Sequence, residues 1–285
     1  MVDSNKSTYV VSGKSYTAVA VNTAAMAGEF IKSKLGDTNK ISQKYSTHDL
    51  VTVVDKGAET LIRNLIGTHF PQHHILGEEG VLPGPEASAK AIAEYADAEY
   101  LWIVDPIDGT TNFIHGFPFF SVSIALAHRG EVIVGVIYDP TRDELFVAEK
   151  GKGAYLKGKK MQVAREERLS DSLIATGFPA DHLQALPTNL VGIMTIAPKV
   201  RNLRIAGSAA LHLAYVAAGR LSGFWEIGLN SWDVAAGALL ISESGGKVTD
   251  TEGQPFTLAT RNILATNGNV HQELIDELRV AREQL

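Results

Sequence analysis

The spacing of apolar positions predicts helices and strands that intermix along the chain. Apolar residues and alanines between positions 16 and 35 follow a helical period that we expect to end at Gly36. A second helix is expected over residues 56–69. The apolar run 101–104 predicts a buried strand, and the polar residues 105–109 directly after it predict a tight turn.

Later apolar runs continue the pattern. In the first half they predict antiparallel strands at residues 121–127, 132–138 and 144–148, with a Gly- and Lys-rich hairpin over 150–160. In the second half they predict alternating elements: strands near 173–176, 224–226 and 263–266, helices near 208–218 and 233–244, and a C-terminal helix. The fold class is therefore α+β or α/β. We expect two sub-domains around one cleft, residues 1–150 and 151–285.

Composition narrows the possible functions. A chain of 285 residues can bury a sizeable core, and its net charge of −6 argues against a general nucleic-acid binder. The absence of cysteine excludes disulfides, thiolate zinc sites and a cysteine nucleophile. No run approaches 18 uncharged apolar residues, and the polar start lacks the apolar stretch of a secretory signal. We therefore expect no membrane association and a cytoplasmic location.

The strongest chemical signal follows the predicted strand 101–104. Asp105 and Asp108 are separated by two residues, so a turn there aims both carboxylates and the Ile107 carbonyl at one region. Magnesium prefers oxygen ligands of this mixed kind. Gly109 and Thr110 then open a predicted helix, whose free N–H groups can hold a phosphate. In isolation the five residues read as an ordinary turn, and the polar extension through Thr-Thr-Asn favours a site.

Three further acids stand at the ends of apolar elements. Glu78 follows an apolar pair, Asp233 begins a predicted helix, and Asp55 is placed as a helix N-cap. Each has an ordinary structural explanation by itself. Carboxylates that converge without cations repel one another, so the set as a whole predicts bound metal. Two close metals can stabilise both the attacking and the leaving oxygen in phosphoryl transfer.

These motifs carry a resemblance that covers nearly the whole chain. The sequence resembles the inositol monophosphatase family of the lithium-sensitive sugar phosphatase superfamily, with a bacterial-type segment over 176–204. The resemblance lies in Asp-Pro-Ile-Asp-Gly-Thr-Thr-Asn-Phe at 105–113, Trp-Asp-Val-Ala-Ala-Gly at 232–237 with Gly245-Gly246 downstream, Gly-Glu-Glu at 77–79, and Asp-Leu-Val-Thr-Val-Val-Asp at 49–55.

The resemblance implies a layered α/β/α/β/α sandwich, usually dimeric, and a ligand set for two or three Mg²⁺ ions. The implied ligands are Glu78, Asp105, the Ile107 carbonyl, Asp108 and Asp233. Mn²⁺ is a possible substitute in such sites, and Li⁺ and Ca²⁺ are expected inhibitors. The implied reaction is hydrolysis of a small phosphorylated polyol, myo-inositol monophosphate, by in-line attack of a metal-activated water.

Further roles follow from the same resemblance. Asp55 and Thr110 match the pair that activates the attacking water, Glu78 is also counted with this catalytic group, and Lys44 matches a loop lysine near that water. Gly109 and Thr110 match the phosphate-binding backbone. The expected inositol contacts are Gly207, Ser208, Ala209, Glu226 and Asp233.

Two alternatives remain open. The first stays in the superfamily: a fructose-1,6-bisphosphatase or a nucleotide phosphatase. The residues at 111–113, Thr-Asn-Phe, favour the inositol branch, because adenosine bisphosphate phosphatases tend to carry Lys-Glu there. The second is of another class, since some bacterial members of the family are RNA-polymerase-associated regulators. The acidic balance of the chain and the lack of a basic stripe give that role no support.

Overall fold

The computed structural model describes residues 10–11, 14–35, 41–43, 50–178 and 186–284. The helices in these ranges are α1 Tyr16–Lys32, α2 Val53–His69, α3 Pro85–Ala93, α4 Thr110–His115, α5 Leu186–Ile196, α6 Ala209–Ala217, α7 Ser231–Glu243 and α8 His271–Arg282. The strands are β1 Val10–Val11, β2 Lys14–Ser15, β3 Ile41–Gln43, β4 Leu50–Thr52, β5 His74–Gly77, β6 Tyr100–Asp108, β7 Ser121–His128, β8 Glu131–Asp139, β9 Glu144–Glu149, β10 Gly153–Leu156, β11 Lys159–Lys160, β12 Leu173–Thr176, β13 Asn202–Arg204, β14 Gly223–Ile227, β15 Lys247–Asp250 and β16 Asn262–Thr266.

The first half forms a seven-stranded sheet in the order β11-β10-β9-β8-β7-β6-β5. Its neighbours are antiparallel except for β5 and β6, which run parallel. The predicted antiparallel strands and the hairpin at 150–160 are confirmed, the hairpin as the pair β10 and β11.

Both faces of this sheet are covered, which explains why β6 is apolar at every position from 101 to 104. Trp102 and Val104 pack with α1 and α2, whereas Leu101 and Ile103 face the opposite side, toward α6 and α7. A strand buried on both faces reads as a continuous apolar run, without the alternation of a half-exposed strand.

The second half adds a five-stranded mixed sheet in the order β13-β12-β14-β16-β15. Helices α6 and α7 lie between the two sheets, since they contact strands of both. Helices α5 and α8 pack on each other and on the outer face of the second sheet. The layers are therefore α1-α2, sheet, α6-α7, sheet, α5-α8, which confirms the α/β/α/β/α arrangement.

The expected turn after residue 104 is wrong, because β6 continues through Asp108. Its register against β7 shifts there: Asp105 pairs with Ser123 and Asp108 pairs with Ser121. Two residues of β6 therefore stand opposite one residue of β7, which is a β-bulge. Bulges redirect side chains and accommodate a proline, which donates no N–H to the ladder.

Several element limits also differ from the sequence prediction. Helix α2 begins at Val53, so Asp55 lies within its first turn and is not the N-cap. Helix α1 ends at Lys32, and Gly36 lies outside the described residues. Helices α3 and α5 were not predicted. The division into sub-domains at residue 150 stays a prediction.

Candidate metal and active site

Three buried carboxylates meet where the two halves of the chain contact each other. One carboxylate oxygen from each of Asp105, Asp108 and Asp233 lies within 4.8 Å of the other two. The first two come from the bulge that ends β6, and the third comes from the first turn of α7. Chain segments more than 120 residues apart therefore contribute to one acidic cluster.

A capping box orients Asp233 at the start of α7. The backbone N–H of Asn230 donates to Asp233 Oδ2 at 2.7 Å, and the Asn230 side chain accepts in return from the Asp233 backbone. Arg261 contacts the Asn230 side chain and donates to the Gly228 carbonyl at 2.8 Å. The loop before α7 is thus tied to the sheet, which fixes the direction of the Asp233 carboxylate.

Asp108 is held by the start of α6. The Ser208 hydroxyl donates to Asp108 Oδ2, and the backbone N–H groups of Ala210 and Ala209 donate to Oδ2 and Oδ1 at 2.9 and 3.2 Å. Residues expected to contact substrate, Ser208 and Ala209, therefore contact a carboxylate of the acidic cluster here. Helix N-termini favour negative charge, so this contact stabilises ionised Asp108.

Burial raises the pKa of three carboxyl groups at the cluster, those of Asp105, Asp108 and Glu226. For Asp105 burial acts first, and the charges of Glu78, Asp108 and Asp233 raise the pKa further, well above its usual range. For Asp108 burial raises the pKa to about 6, although the hydrogen bonds from Ser208 and the α6 backbone lower it. Burial and the charge of Asp108 raise the pKa of Glu226 to about 8.

The donor set fits a hard divalent cation. All groups that converge are oxygens, and Asp105 Oδ1 is buried with no hydrogen-bond partner among the described residues. A buried anionic oxygen without a partner is unfavourable in an apolar surrounding. A bound cation would satisfy that oxygen and reverse the pKa shifts, because it favours the ionised form of every neighbouring carboxyl group.

Beside the cluster, a hydroxyl contacts a carboxylate and a carbonyl. Thr110 Oγ1 lies 3.2 Å from Asp55 Oδ1 and 3.0 Å from the Ile107 carbonyl oxygen. Asp55, in the first turn of α2, is only 1% exposed, so its carboxylate is almost fully shielded from solvent at this contact. The Thr110 hydroxyl can donate its single proton to only one of these two acceptors at a time. The lone pairs on Thr110 Oγ1 can accept a hydrogen bond from a further donor.

These groups surround a pocket of about 420 Å³. Gly177 lies so close to Glu226 that a Cβ would stand 2.2 Å from Glu226 Oε2, so the glycine makes room for the carboxylate. Half-exposed apolar side chains line the pocket too: Leu82, Phe117, Phe178 and Ile205. The expected site residues that line the pocket are Glu78, Asp105, Ile107, Asp108, Gly109, Thr110, Gly207, Ala209, Glu226 and Asp233.

Two expected site residues stand apart from that wall, and a third is not among the described residues. Asp55 and Ser208 lie behind the wall, in contact with Thr110 and Asp108 respectively. Lys44 lies outside the described residues.

Sequence reasoning missed the role of Asn112. Its amide donates to the Phe119 and Ala206 carbonyls at 2.6 and 2.7 Å, which ties α4 to the segment just before α6. Gly207 packs against this amide with a positive φ of 80°, a conformation that favours glycine. The residue stood inside the 105–113 motif, but its partners are distant in sequence and no pattern named them.

Comparisons with known proteins agree with this geometry. A sequence model of the Inositol monophosphatase family matches residues 13–284. Inositol monophosphatase 2 of Solanum lycopersicum is 43% identical over 265 residues, 92% of this chain and 97% of that protein. Nus factor SuhB of Escherichia coli K12 is 42% identical over 264 residues, 92% of this chain and 94% of that protein.

A solved structure supports the same relation. The inositol monophosphatase from Anabaena (Nostoc) sp. PCC 7120 superposes with a TM-score of 0.80 at 40% identity, covering 93% of this chain and 95% of that one. A likeness of this extent in both sequence and fold leaves one family. The chain therefore belongs to the inositol monophosphatase family of metal-dependent phosphatases, which act on small phosphorylated substrates.

Proposed function

We propose that this protein is a Mg²⁺-dependent phosphomonoesterase that hydrolyses myo-inositol monophosphate to myo-inositol and phosphate. The observation that carries the proposal is the convergence of three buried carboxylates within 4.8 Å at the wall of a pocket sized for a small ester. A buried cluster of like charges is costly unless a cation neutralises it.

The residues proposed to hold the metals are Glu78, Asp105, Asp108, Asp233 and the Ile107 carbonyl. All five groups are hard oxygen donors, which suits Mg²⁺ better than a soft metal, and Mn²⁺ shares this preference. The chemistry supplied by bound Mg²⁺ is a lowered pKa for an attacking water and neutralisation of negative charge on the leaving oxygen. Li⁺ and Ca²⁺ are the inhibitors we propose to test.

The chain's own contribution to water activation is the pair Thr110 and Asp55. With its proton directed to Asp55, the Thr110 hydroxyl can accept a hydrogen bond from an attacking water and fix its position. As the water oxygen bonds to phosphorus, the bond between phosphorus and the inositol oxygen breaks, and the leaving oxygen takes up a proton from solvent. The proton of the attacking water passes to Thr110 Oγ1 while the threonine proton passes to Asp55 Oδ1. The low exposure of Asp55 keeps bulk water from competing for that proton.

Other residues orient the substrate. The backbone of Gly109 and Thr110 lies at the pocket wall, where its N–H groups can donate to phosphate oxygens. The Glu226 side chain also lines the pocket, and its oxygens can accept hydrogen bonds from ring hydroxyls of a polyol. We assign a second role to Ser208 and Ala209. Through their hydrogen bonds they hold Asp108, a proposed metal ligand, in position.

The substrate preference is supported by two relatives named for inositol monophosphate hydrolysis, from tomato and Anabaena. The apolar side chains Phe117 and Ile205 at the pocket leave room for an ester with a less polar alcohol. A nucleotide phosphatase, whose substrate carries an apolar base, is therefore one alternative within the superfamily. A fructose-1,6-bisphosphatase is the other, although these apolar side chains do not favour it.

A turnover panel tests the proposal. Phosphate release is measured from myo-inositol 1-phosphate, fructose 1,6-bisphosphate and nucleoside 2′- and 3′-monophosphates, with Mg²⁺ and with EDTA. We expect the highest kcat/KM for the inositol ester, and none with EDTA. Negligible inositol phosphate turnover beside rapid bisphosphate turnover would reject the proposed substrate.

A second candidate function is regulation in association with RNA polymerase. It is favoured by the 42% identity to a protein named Nus factor SuhB. The net charge of −6 favours a contact with protein over a contact with nucleic acid. Co-purification of both the wild type and Asp105→Asn with RNA polymerase would support this function. If neither the wild type nor the variant co-purifies with RNA polymerase, this function is rejected.

We also propose a cytoplasmic homodimer. Within the described ranges, none of the helices combines the length and apolar character that crossing a bilayer needs. Helix α5 leaves three apolar side chains exposed at intervals of one turn, Leu186, Leu190 and Met194, at 38%, 44% and 74%. Light scattering on the wild type and on a Leu190→Glu, Met194→Glu double variant tests whether this face joins two copies.

A further inference from the structure

Helix α2 carries a second buried carboxylate that neither the motifs nor the proposed mechanism uses. Glu59 follows Asp55 by one helical turn and is only 4% exposed. Residues four apart lie on one face of a helix, so the two carboxylates point toward the same end of the sheet. Asp55 meets Thr110, whereas Glu59 meets the segment that follows β5.

Each oxygen of Glu59 has its own donor. Arg63 Nε donates to Oε1 at 2.7 Å, and the backbone N–H of Glu79 donates to Oε2 at 2.8 Å. Arg63 also donates through Nη1 to the Ile75 carbonyl at 3.1 Å. The Glu59–Arg63 pair therefore contacts two segments. Arg63 binds β5, Glu59 binds the turn Glu78–Gly80 that follows it, and both segments are thereby joined to α2.

The backbone between these two anchor points lies directly against the carboxylate. A Cβ on Gly77 would stand 2.5 Å from Glu59 Cδ and 2.6 Å from each of its oxygens. Gly77 has an extended backbone with φ of −120°, so glycine is required here by space and not by its dihedral angle. The close approach holds the peptide directly before Glu78.

Both neighbours of Glu78 in the chain are therefore fixed by Glu59. Gly77 packs against the Glu59 carboxylate, and the Glu79 backbone N–H donates a hydrogen bond to it. The Glu78 side chain lines the same pocket as Asp105, and its negative charge raises the pKa of the Asp105 carboxyl group. We infer that Glu59, buttressed by Arg63, is a positioning residue that sets the direction of Glu78 toward the metal cluster. This inference rests on the proposed function, because it assigns Glu59 a task only if Glu78 holds a cation.

A purely structural purpose explains the arrangement less well. An ion pair whose arginine side chain is 38% exposed contributes modestly to stability, and burying its carboxylate carries a desolvation cost. Partners that orient metal ligands are a recognised use of such groups, and their loss typically lowers metal affinity about 10- to 100-fold. For Glu59→Ala we expect a loss of about tenfold, at the lower end of that range.

The test is a titration with Mn²⁺ in the absence of substrate, with free ion followed by electron paramagnetic resonance. Wild type, Glu59→Ala and Glu59→Gln are compared, with Thr60→Ala as the matched control on the exposed side of the same helix. Among the described residues, the Thr60 hydroxyl donates only to the Lys56 carbonyl, so the Thr60→Ala variant should bind Mn²⁺ like wild type. Glutamine can satisfy one of the two donors, so Glu59→Gln should be intermediate.

Thermal unfolding of each variant separates positioning from simple stability. A lower melting temperature with unchanged Mn²⁺ affinity in Glu59→Ala would overturn the inference, as would wild-type affinity in Glu59→Gln if the alanine variant does not fold. Saturating Mg²⁺ should restore kcat in Glu59→Ala. If instead Asp105→Asn titrates like wild type, the metal cluster itself is refuted and the proposed function fails, which is a distinct outcome.

Discussion

Replacing Asp105 with asparagine should have opposite effects on stability with and without metal. The side chain is 2% exposed and keeps its shape in Asp105→Asn, but it loses its charge. In metal-free protein the substitution relieves repulsion among carboxylates. In protein with Mg²⁺ it removes an anionic ligand. The wild type should therefore be less stable than the variant in EDTA and more stable in Mg²⁺.

The size of the repulsion follows from the geometry. Two unit charges at the 4.8 Å limit that encloses the cluster interact by about 3.5 kcal/mol at an effective dielectric constant of about 20. Asp105 faces Asp108 and Asp233 within that limit. Protonation relieves part of this cost, so we expect Asp105→Asn to raise the free energy of unfolding in EDTA by about 2–4 kcal/mol near neutral pH.

The pH dependence has a defined sign. The pKa of Asp105 is raised in the fold, so the folded state binds a proton that the unfolded state has released. Wild-type stability should then fall as the pH rises above about 4, by about 1.4 kcal/mol per pH unit, until the raised pKa is reached. In Asp105→Asn, residue 105 does not titrate and contributes nothing to the pH dependence of the free energy of unfolding. Binding of Mg²⁺ at about 100 times its dissociation constant adds about 2.7 kcal/mol to the wild type.

Urea unfolding followed by tryptophan fluorescence measures these differences, since Trp102 and Trp232 are buried close in sequence to Asp105 and Asp233. The exposed Asp97 supplies a matched control, and Asp97→Asn should change stability by the same small amount in EDTA and in Mg²⁺. If Asp105→Asn is destabilised equally in both conditions, the carboxylates do not repel one another and the cluster is not a cation site.

Three further predictions concern single side chains. Thr110→Ala should lower kcat by about two to four orders of magnitude with little change in Mn²⁺ affinity, and Thr110→Ser should recover much of it; a change in KM alone would mean that Thr110 only binds phosphate. His212, 2% exposed between Phe119 and Phe224, has its pKa lowered by burial to about 3, so it stays neutral in the fold while the unfolded chain takes up a proton below about pH 6.5. His212→Phe should remove about 2 kcal/mol of the stability lost between about pH 8 and pH 5, measured by urea unfolding, and an unchanged loss would contradict the burial argument. Gly177→Ala should displace the Glu226 carboxylate and raise KM for inositol monophosphate about tenfold, the equivalent of one lost hydrogen bond, with kcat nearly unchanged; unaltered steady-state kinetics would remove Glu226 from the substrate contacts.

Local sequence patterns predicted most strands of the seven-stranded sheet. The runs at β7, β8 and β9 alternate with turn residues. The predicted and observed limits differ by one residue at one end of β7 and β9, and by one residue at each end of β8. The end of β6 could not be predicted in this way. Its letters, Asp-Pro-Ile-Asp, are typical of turns, and only pairing with β7 across a bulge keeps them in the sheet.

Motifs named the three aspartates that the fold brings together, Asp105, Asp108 and Asp233, but they did not indicate the residues that hold these aspartates in place. The contacts of Asp108 with Ser208 and Ala210 join positions about 100 residues apart, and nothing local in either segment indicates them. Glu59 and Arg63 have the spacing of a helical ion pair, which by itself indicates only a solvated face. Their role depends on the Glu79 backbone, a contact that exists only in the folded chain.

The central claim is that carboxylates from both halves of the chain share divalent cations. Crystals soaked in Mn²⁺ and phosphate, measured for anomalous scattering at the manganese edge, test it most directly. We predict anomalous peaks bounded by Glu78, Asp105, Asp108 and Asp233, with phosphate beside Gly109 and Thr110. A fully occupied soak with no peak among these carboxylates, or with manganese only at exposed acids elsewhere, would contradict the account.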